Sequence, residues 1–240
     1  MLINPNTSAD TTAMMTAIAR RTLGSSVRGV TVARGPRMLT DPAALRASVP
    51  EVVAAAREAL AAGDCAGLVV GAFGDPGVAE LRAFAGVPVV GLAEAACAEA
   101  AAGGVRFGVA TTTPDLAEAI GRRIAALGLA DRYTGIRLTR SQAGRLSREP
   151  EALREELAEA VRACVVRDGA RAVVIGGGPL AEAADALRER FDVPVVAPVP
   201  AACRRIAREL AQHDPAVSEG YGSGQSSGRG PGQPMWKLSP

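Results

Sequence analysis

Residues 69–77 read VVGAFGDPG, and residues 87–90 read VPVV with Cys97 shortly beyond them. A short β-branched run that ends in a glycine-rich turn predicts a buried strand of a parallel sheet, followed by a helix. The VPVV run after that helix predicts the neighbouring strand. This stretch therefore predicts one strand–turn–helix–strand unit of an α/β sheet with right-handed crossovers.

The same order recurs in the second part of the chain. Residues 173–179 read VVIGGGP, residues 193–196 read VPVV, and Cys203 follows at the same spacing. Upstream of each unit lies a polar turn before a helix, Asn4–Ser8 in the first case and Thr111–Pro114 in the second. The repeat predicts two pseudo-symmetric, parallel-sheet α/β domains with the functional cleft between them.

Valine-rich and alanine-rich segments alternate along the rest of the chain. The predicted strands are Val27–Ala33, Gly67–Ala72, Pro88–Leu92, Arg106–Thr111, Tyr133–Leu138, Ala172–Gly176 and Val193–Ala197. The predicted helices include Asp10–Leu23, Ala43–Ala62, Pro114–Leu127, Glu149–Arg167 and Leu180–Arg190. We predict a first half at 1–97, a second at 98–199, a last helix at about 200–213 that packs back on the first half, and a flexible Gly/Ser/Pro-rich tail at 214–240.

Composition narrows the function. The net charge is +2, with basic and acidic residues interleaved, so neither a nucleic acid nor an acidic membrane is an expected partner. The sequence has no membrane-length apolar run and no signal-peptide pattern, and its scattered cysteines lack metal-ligand spacing, so we expect a cytoplasmic protein with free thiols. The only histidine is His213 and the only lysine is Lys237, which argues against a catalytic triad, a histidine-ligated metal and a Schiff base.

Four turns fall at the carboxyl ends of predicted strands, where ligands of parallel α/β sheets bind. They are Asn4–Ser8, Ala72–Gly77, Thr111–Thr113 and Gly176–Pro179. Helix N-termini there present backbone N–H groups that suit an anionic or enolate oxygen. The alternative is that Gly and Thr serve only as turn and cap residues. Because the four turns occupy symmetric positions, we interpret them as one pocket.

Several of these motifs resemble the aspartate/glutamate/hydantoin racemase family. Residues 3–8 (INPNTS) and 73–77 (FGDPG) resemble motifs of its hydantoin and allantoin racemases, and so do residues 87–96 and 106–114. The resemblance covers roughly residues 2–210. It implies a two-domain α/β fold, a homo-oligomer, and inversion of a stereocentre α to a carbonyl without cofactor or metal, by two cysteines on opposite faces of the substrate.

The family's two cysteine positions are replaced here by Ala72 and Gly177, and neither residue can carry a proton. The resemblance together with the polar turns predicts a set of substrate-binding residues that lie in the four turns. These are Asn6, Thr7, Ala72, Phe73, Gly74, Thr111, Thr112, Gly177 and Gly178.

Asp75 is the best-placed carboxylate to replace a thiol as the base. Its alternative role is an N-cap of the next helix, with Pro76 as the first helical residue. Glu94 more simply interacts with a helix dipole, and Cys97 and Cys203 are more typical of core thiols than of a catalytic pair.

Three functions stay open from the sequence. The first is a cofactor-independent racemase or epimerase that acts on a small amino-acid derivative or a hydantoin-like ring, with Asp75 or water in place of the thiols. Its substrate would be a carboxylate or a cyclic imide or ureide. The second is a cofactor-independent lyase such as a decarboxylase, which stabilises an enolate without needing a base to form it. The third is a non-catalytic homologue that binds a small molecule.

Overall fold

The computed structural model describes residues 1–213, which form two four-stranded sheets. Every strand pairing is parallel. The strands are β1 (Leu2–Asn4), β2 (Gly29–Thr31), β3 (Leu68–Val70), β4 (Val89–Gly91), β5 (Phe107–Thr111), β6 (Tyr133–Leu138), β7 (Ala172–Ile175) and β8 (Val195–Val196). The predicted tail, residues 214–240, lies outside the described residues.

Helices follow the strands and cover the sheets. They are α1 (Ala9–Leu23), α2 (Pro42–Ala61), α3 (Val78–Arg82), α4 (Leu92–Ala100), α5 (Ala117–Ala126), α6 (Ala143–Leu146), α7 (Pro150–Val166), α8 (Ala181–Leu187) and α9 (Pro198–His213). Both faces of the central strands are therefore buried, which explains their unbroken Val, Leu and Ile runs.

The two sheets repeat one topology, with strand orders β2-β1-β3-β4 and β6-β5-β7-β8. The register repeats as well, since Ile3 lies opposite Val70 in the first sheet and Ala110 lies opposite Ile175 in the second. The α/β fold predicted from the repeat is confirmed. Strand β6 has the predicted bounds, the other predicted strands are shorter at one or both ends, and β1 was not among the predicted strands.

One predicted detail of the first half is wrong. Helix α3 begins at Val78 and has Gly77 as its N-cap residue, so Pro76 is not its first residue and Asp75 does not cap it. Asp75 has φ +54°, and Gly77 has φ +82°. Both lie in the left-handed region, which adds a bend before the helix and turns the Asp75 side chain away from α3.

The last helix joins the halves. Helix α9 packs against α1, α4, β3 and β4 of the first half, although it follows β8 of the second. The approach is close, because a methyl group on Gly67 would lie 3.3 Å from Ile206 and 3.4 Å from Leu210. One buried core consequently contains residues from both sheets, among them Val90 and Val174.

Candidate active site

Turns from both halves meet at the carboxyl ends of the strands. Gly178, after β7, lies so close to the turn after β3 that a methyl group on it would be 3.1 Å from the Gly71 carbonyl oxygen. The same methyl group would lie 2.6 Å from the Met15 sulfur of α1. Only glycine fits this crossing without displacing its neighbours.

A second contact across the halves involves Phe73 and Gly176. The Phe73 ring is 5% exposed, and a methyl group on Gly176 would lie 3.4 Å from its Cε1 atom. Thr111, at the end of β5, donates a hydrogen bond of 2.5 Å from its hydroxyl to the Gly176 carbonyl oxygen. The predicted turns are therefore brought together, and the Thr111 hydroxyl is engaged within the protein.

Ala72 and Gly177 occupy matching places in the two turns, and both are half-buried. Gly177 has an extended backbone with φ 169°, which any residue can adopt. A methyl group there would lie 3.0 Å from Leu180 Cγ and Cδ1, so a side chain fits after a small shift of that leucine. The positions retain room for side chains but have no group that moves a proton.

A buried asparagine network shapes the turn after β1. Asn4 Nδ2 donates to Asn6 Oδ1 at 2.9 Å, and the Ser8 N–H donates to the same oxygen at 2.9 Å. This pairing fixes the orientation of the Asn6 amide. Asn6 is 8% exposed, yet its NH2 group has no acceptor among residues 1–213. The network therefore leaves one unused donor, the Asn6 NH2 group, at the carboxyl end of β1.

Further donors come from the other turns. The backbone N–H groups of Phe73, Gly74, Thr113 and Gly178 have no acceptor in the part of the chain that the structure describes. The Thr112 hydroxyl is equally unpartnered there, and this residue is 6% exposed. Unpartnered donors at the carboxyl ends of the strands can stabilise negative charge that develops on an oxygen.

Two hydrogen bonds attach Thr7, in the turn after β1, to the loop after β2. The N–H of Thr7 donates to the Pro36 carbonyl oxygen at 3.1 Å, and its hydroxyl donates to the Gly35 carbonyl oxygen at 3.3 Å. These bonds place the loop after β2 beside the predicted site. The Thr7 and Thr111 hydroxyls both have partners within the protein. Substrate contacts by these two residues stay predictions.

Asp75 caps a helix other than the predicted one. Its Oδ1 accepts from the Ala93 N–H at 2.7 Å, and its Oδ2 accepts from the Glu94 N–H at 2.9 Å. These N–H groups lie at the start of α4, where they have no partner within the helix. The Asp75 side chain is fully buried, and a side chain on Gly91 would overlap it.

Asp75 and Glu94 belong to a buried ion cluster that spans the halves. Arg123 of α5 donates from Nε to Asp75 at 2.9 Å and from Nη2 to Glu94 at 3.1 Å. Arg82 also donates to Glu94, and Arg205 of α9 lies 3.8 Å from it. Glu94 in turn accepts from the Gly91 N–H at 3.2 Å.

Burial governs the titration of Asp75. Removal from water raises the pKa of this carboxyl to about 6, against the lowering effects of Arg123 and of the Ala93 N–H, while Glu94 raises it further. A base of that pKa would suit neutral pH. However, the Asp75 side chain is fully buried and its oxygens accept three hydrogen bonds, so the geometry favours a structural role.

The cysteines do not form a catalytic pair. Cys97 and Cys203 are both fully buried. Burial raises the pKa of Cys203 to about 11 and raises the pKa of Cys97 as well, so both remain neutral thiols. Within the described residues, no group of His, Cys, Asp and Glu side chains could hold a metal ion. Nor does any helix in residues 1–213 have the length and apolarity to cross a membrane.

The cluster arginines could not be identified from the sequence. Arg82, Arg123 and Arg205 lie in separate helices with unremarkable surroundings, and their convergence depends on how the halves pack. The sequence does single out Gly91, which leaves space for the Asp75 carboxylate, because a glycine follows the first VPVV run where Ala197 follows the second.

Comparison with known proteins gives consistent matches. The family model described as Asp/Glu/Hydantoin racemase matches residues 1–206. A hydantoin racemase of Pseudomonas sp. (strain NS671) is 32% identical over 206 residues, which cover 81% of this chain and 79% of that protein. A hydantoin racemase of Paenarthrobacter aurescens is 28% identical over 210 residues, covering 85% and 87%. The structure of allantoin racemase from Klebsiella pneumoniae superposes with a TM-score of 0.83 at 27% identity, covering 88% and 87%.

Proposed function

The chain belongs to the Asp/Glu/hydantoin racemase family, and from that membership we propose a cofactor-independent isomerase that inverts the carbon α to a carbonyl in a hydantoin-like cyclic ureide or imide. One observation carries the proposal beyond the family level. The turns that meet between the halves offer unused hydrogen-bond donors, while their only carboxylate, Asp75, is already bonded. Such a site is suited to carbonyl and enolate oxygens.

The binding step follows from the donors. The Asn6 NH2 group belongs to the first half and the Thr112 hydroxyl to the second, and neither has an acceptor within the described residues. A planar ring with carbonyl oxygens can accept from both halves at once. When the α proton leaves, charge develops on a carbonyl oxygen, and the N–H groups of Phe73 and Gly178 stabilise it.

The missing thiols restrict the substrate. Ala72 and Gly177 cannot remove or return a proton, so water must carry it on either side of the ring. Water is a weak base, and proton removal then depends on the acidity of the substrate carbon and on enolate stabilisation by the site. We propose a substrate whose α carbon is activated, for example by an aryl group, in addition to the ring carbonyls.

Proton NMR in D2O tests this reaction directly. We expect enzyme-dependent loss of the α-proton signal from both enantiomers of an arylhydantoin, together with loss of optical rotation. The panel also contains allantoin, aspartate and glutamate. Loss of exchange in D75N, measured on folded protein, would instead make Asp75 the base, as the sequence predicted. No exchange with any panel member would overturn the proposal.

Restoring the thiols gives a sharper form of the test. In A72C/G177C we expect faster exchange for both enantiomers, because a thiolate is a stronger base than water. Each single variant serves as the matched control, and it should accelerate exchange of one enantiomer only. Equal rates in all four proteins would contradict the placement of the two positions on opposite faces of the substrate.

A second candidate is a cofactor-independent decarboxylase. It is favoured by the same replacements at Ala72 and Gly177, because loss of carbon dioxide forms the carbanion without a base. Incubation with an aryl-malonate distinguishes it by release of carbon dioxide. Ligand-induced stabilisation with neither exchange nor release would indicate a binding protein.

We also propose a cytoplasmic homo-oligomer that binds neither nucleic acid nor membrane. The near-neutral net charge supports the proposal that neither a nucleic acid nor a membrane is a partner. Sedimentation velocity of the purified chain tests the oligomeric state, and a monomer at all concentrations would contradict it.

A further inference from the structure

Arg123 is the only residue of the second half that bonds directly to both buried carboxylates of the first, within the described residues. Its side chain is 27% exposed, whereas those of Asp75 and Glu94 are 0% and 2% exposed. The two carboxylates therefore lie on the inner side of the guanidinium, away from water. A planar guanidinium suits this geometry, because separate nitrogens reach separate carboxylates.

Within the second half, the helix that carries Arg123 leads back to the candidate site. Arg123 lies on α5, the helix that follows the Thr111–Thr113 turn. That turn carries the unpartnered Thr112 hydroxyl and the unpartnered Thr113 N–H. Any shift of α5 relative to the first half moves these donors.

Within the first half, Asp75 connects Arg123 to the candidate site. The Asp75 N–H donates to the Ala72 carbonyl oxygen at 3.1 Å, so the turn that contains Ala72, Phe73 and Gly74 closes on Asp75 itself. Asp75 is also the one described non-glycine residue with positive φ. This conformation is unfavourable for a residue with a side chain and persists only where surrounding contacts impose it.

From these contacts we propose that Arg123 is a positioning residue, which fixes the turn after β3 against the turn after β5 by bridging Asp75 and Glu94. The inference rests on the proposed function only where turnover is concerned. Its structural part, the attachment of one turn to the other, stands independently of the substrate and of the reaction.

Arg122 provides a matched control. It is the preceding residue of α5, its side chain is 59% exposed, and it pairs with Glu118 on the surface of the same helix. R122Q removes the same charge from the same helix without touching the cluster. R123K keeps the charge at position 123 but cannot bridge two carboxylates with a planar fork.

Hydrogen–deuterium exchange of the full chain, followed by mass spectrometry, tests the structural part. In R123Q we expect peptides covering residues 72–82 and 91–100 to exchange faster by about tenfold or more, since loss of a buried ion partner weakens local order. R122Q should match the unmodified chain, and R123K should fall between them. Equal exchange in R123Q and R122Q would overturn the proposal. If R123Q does not fold, the same comparison is made with R123K.

Kinetics of α-proton exchange test the positioning part. We expect R123Q to lower kcat by up to about a hundredfold, the cost of displaced donors. KM should change far less, because these donors act mainly on charge that develops in the transition state. R123K should recover part of kcat. Faster amide exchange with unchanged kcat would overturn the positioning role. Absence of turnover in the unmodified chain would refute the proposed function, while the amide exchange would still decide the attachment.

Discussion

The two halves begin their last helices differently after identical VPVV strands. In the first half the sequence continues as GLAEAAC over residues 91–97, and in the second it continues as APVPAAC over residues 197–203. Helix α4 therefore exposes N–H groups at its second and third residues, Ala93 and Glu94, which Asp75 accepts. Helix α9 has Pro198 and Pro200 in its first turn, and proline has no N–H group.

The difference extends to the turns that face these helices. The residue equivalent to Asp75 in the second turn is Leu180, which is 8% exposed and belongs to the core. A buried carboxylate in the first half requires cationic partners, and Arg123 supplies one from the second half. The first half thus depends on the second to balance its buried charge. The second half has no carboxylate at the equivalent position, where Leu180 is apolar, and the two prolines leave fewer N–H groups to satisfy at the start of α9.

The largest expected effect comes from replacing the Asp75 carboxyl by an amide. D75N turns an NH2 group toward the N–H donors from which the carboxyl oxygens accept, so we expect a loss of about 3 kcal/mol of unfolding free energy. D10N is the control, since Asp10 lies in the first turn of α1 with a side chain that is 96% exposed. Its expected effect is below about 0.5 kcal/mol. Urea denaturation measures both, and similar losses would show that the cap is unimportant.

The same carboxyl predicts a pH dependence that the second half lacks. Because the pKa of Asp75 is raised to about 6 in the folded protein, from 3.8, the folded state binds its proton more tightly than the unfolded state. Its contribution to stability should therefore rise as pH falls from about 7 to about 4, by up to about 3 kcal/mol.

The groups that face this carboxyl are Arg123, Glu94, Cys97 and, farther away, Arg205. Subtracting the curve of D75N from that of the unmodified chain isolates the contribution of Asp75. A difference that grows with rising pH across this window would show that the pKa of Asp75 is depressed instead.

A smaller effect concerns the crossing of the two turns. The first turn has Phe73 where the second has Gly178, and only the second position is closed to a side chain by Met15 and by the Gly71 carbonyl. We expect G178A to cost about 1–3 kcal/mol through overpacking. G177A should cost less than about 1 kcal/mol, because the Leu180 side chain can move. Thermal unfolding in parallel distinguishes them, and equal values would contradict this packing.

The smallest expected effect concerns the prolines in the first turn of α9. P200A creates an N–H at the buried start of the helix, where the second half has no equivalent of Asp75, and we expect a cost of about 1 kcal/mol. P150A is the control, because Pro150 begins α7 at an exposed position where water can accept the new N–H. If P200A is as mild as P150A, the missing N–H groups do not explain the asymmetry.

The duplication made much of the fold predictable. Repeated VPVV runs and glycine-rich turns mark adjacent buried strands, and the order of the elements fixes the parallel sheets with right-handed crossovers. The meeting of the turns also follows, because carboxyl ends of parallel strands carry the sites of such sheets. The turns that carry Phe73 and Gly178 are among those that the repeat predicts to meet.

The ion cluster could not be predicted in the same way. Asp75 followed by Pro76 is a common start for the next helix, and only the left-handed backbone at Asp75 and Gly77 directs the carboxylate to α4 instead. The partner Arg123 comes from the other half of the chain, so its selection depends on the packing of the halves. Local sequence contains no signal for either choice.

We propose that donors from both halves stabilise an enolate while no side chain at position 72 or 177 moves the proton. The most direct measurement compares α-proton exchange of an arylhydantoin and an alkylhydantoin in D2O, for the unmodified chain and for A72C/G177C. We predict much faster exchange of the more acidic aryl substrate by the unmodified chain, and a smaller ratio once the thiols are present. Equal rates for both substrates in the unmodified chain would contradict the account, because they would require a strong base within the site.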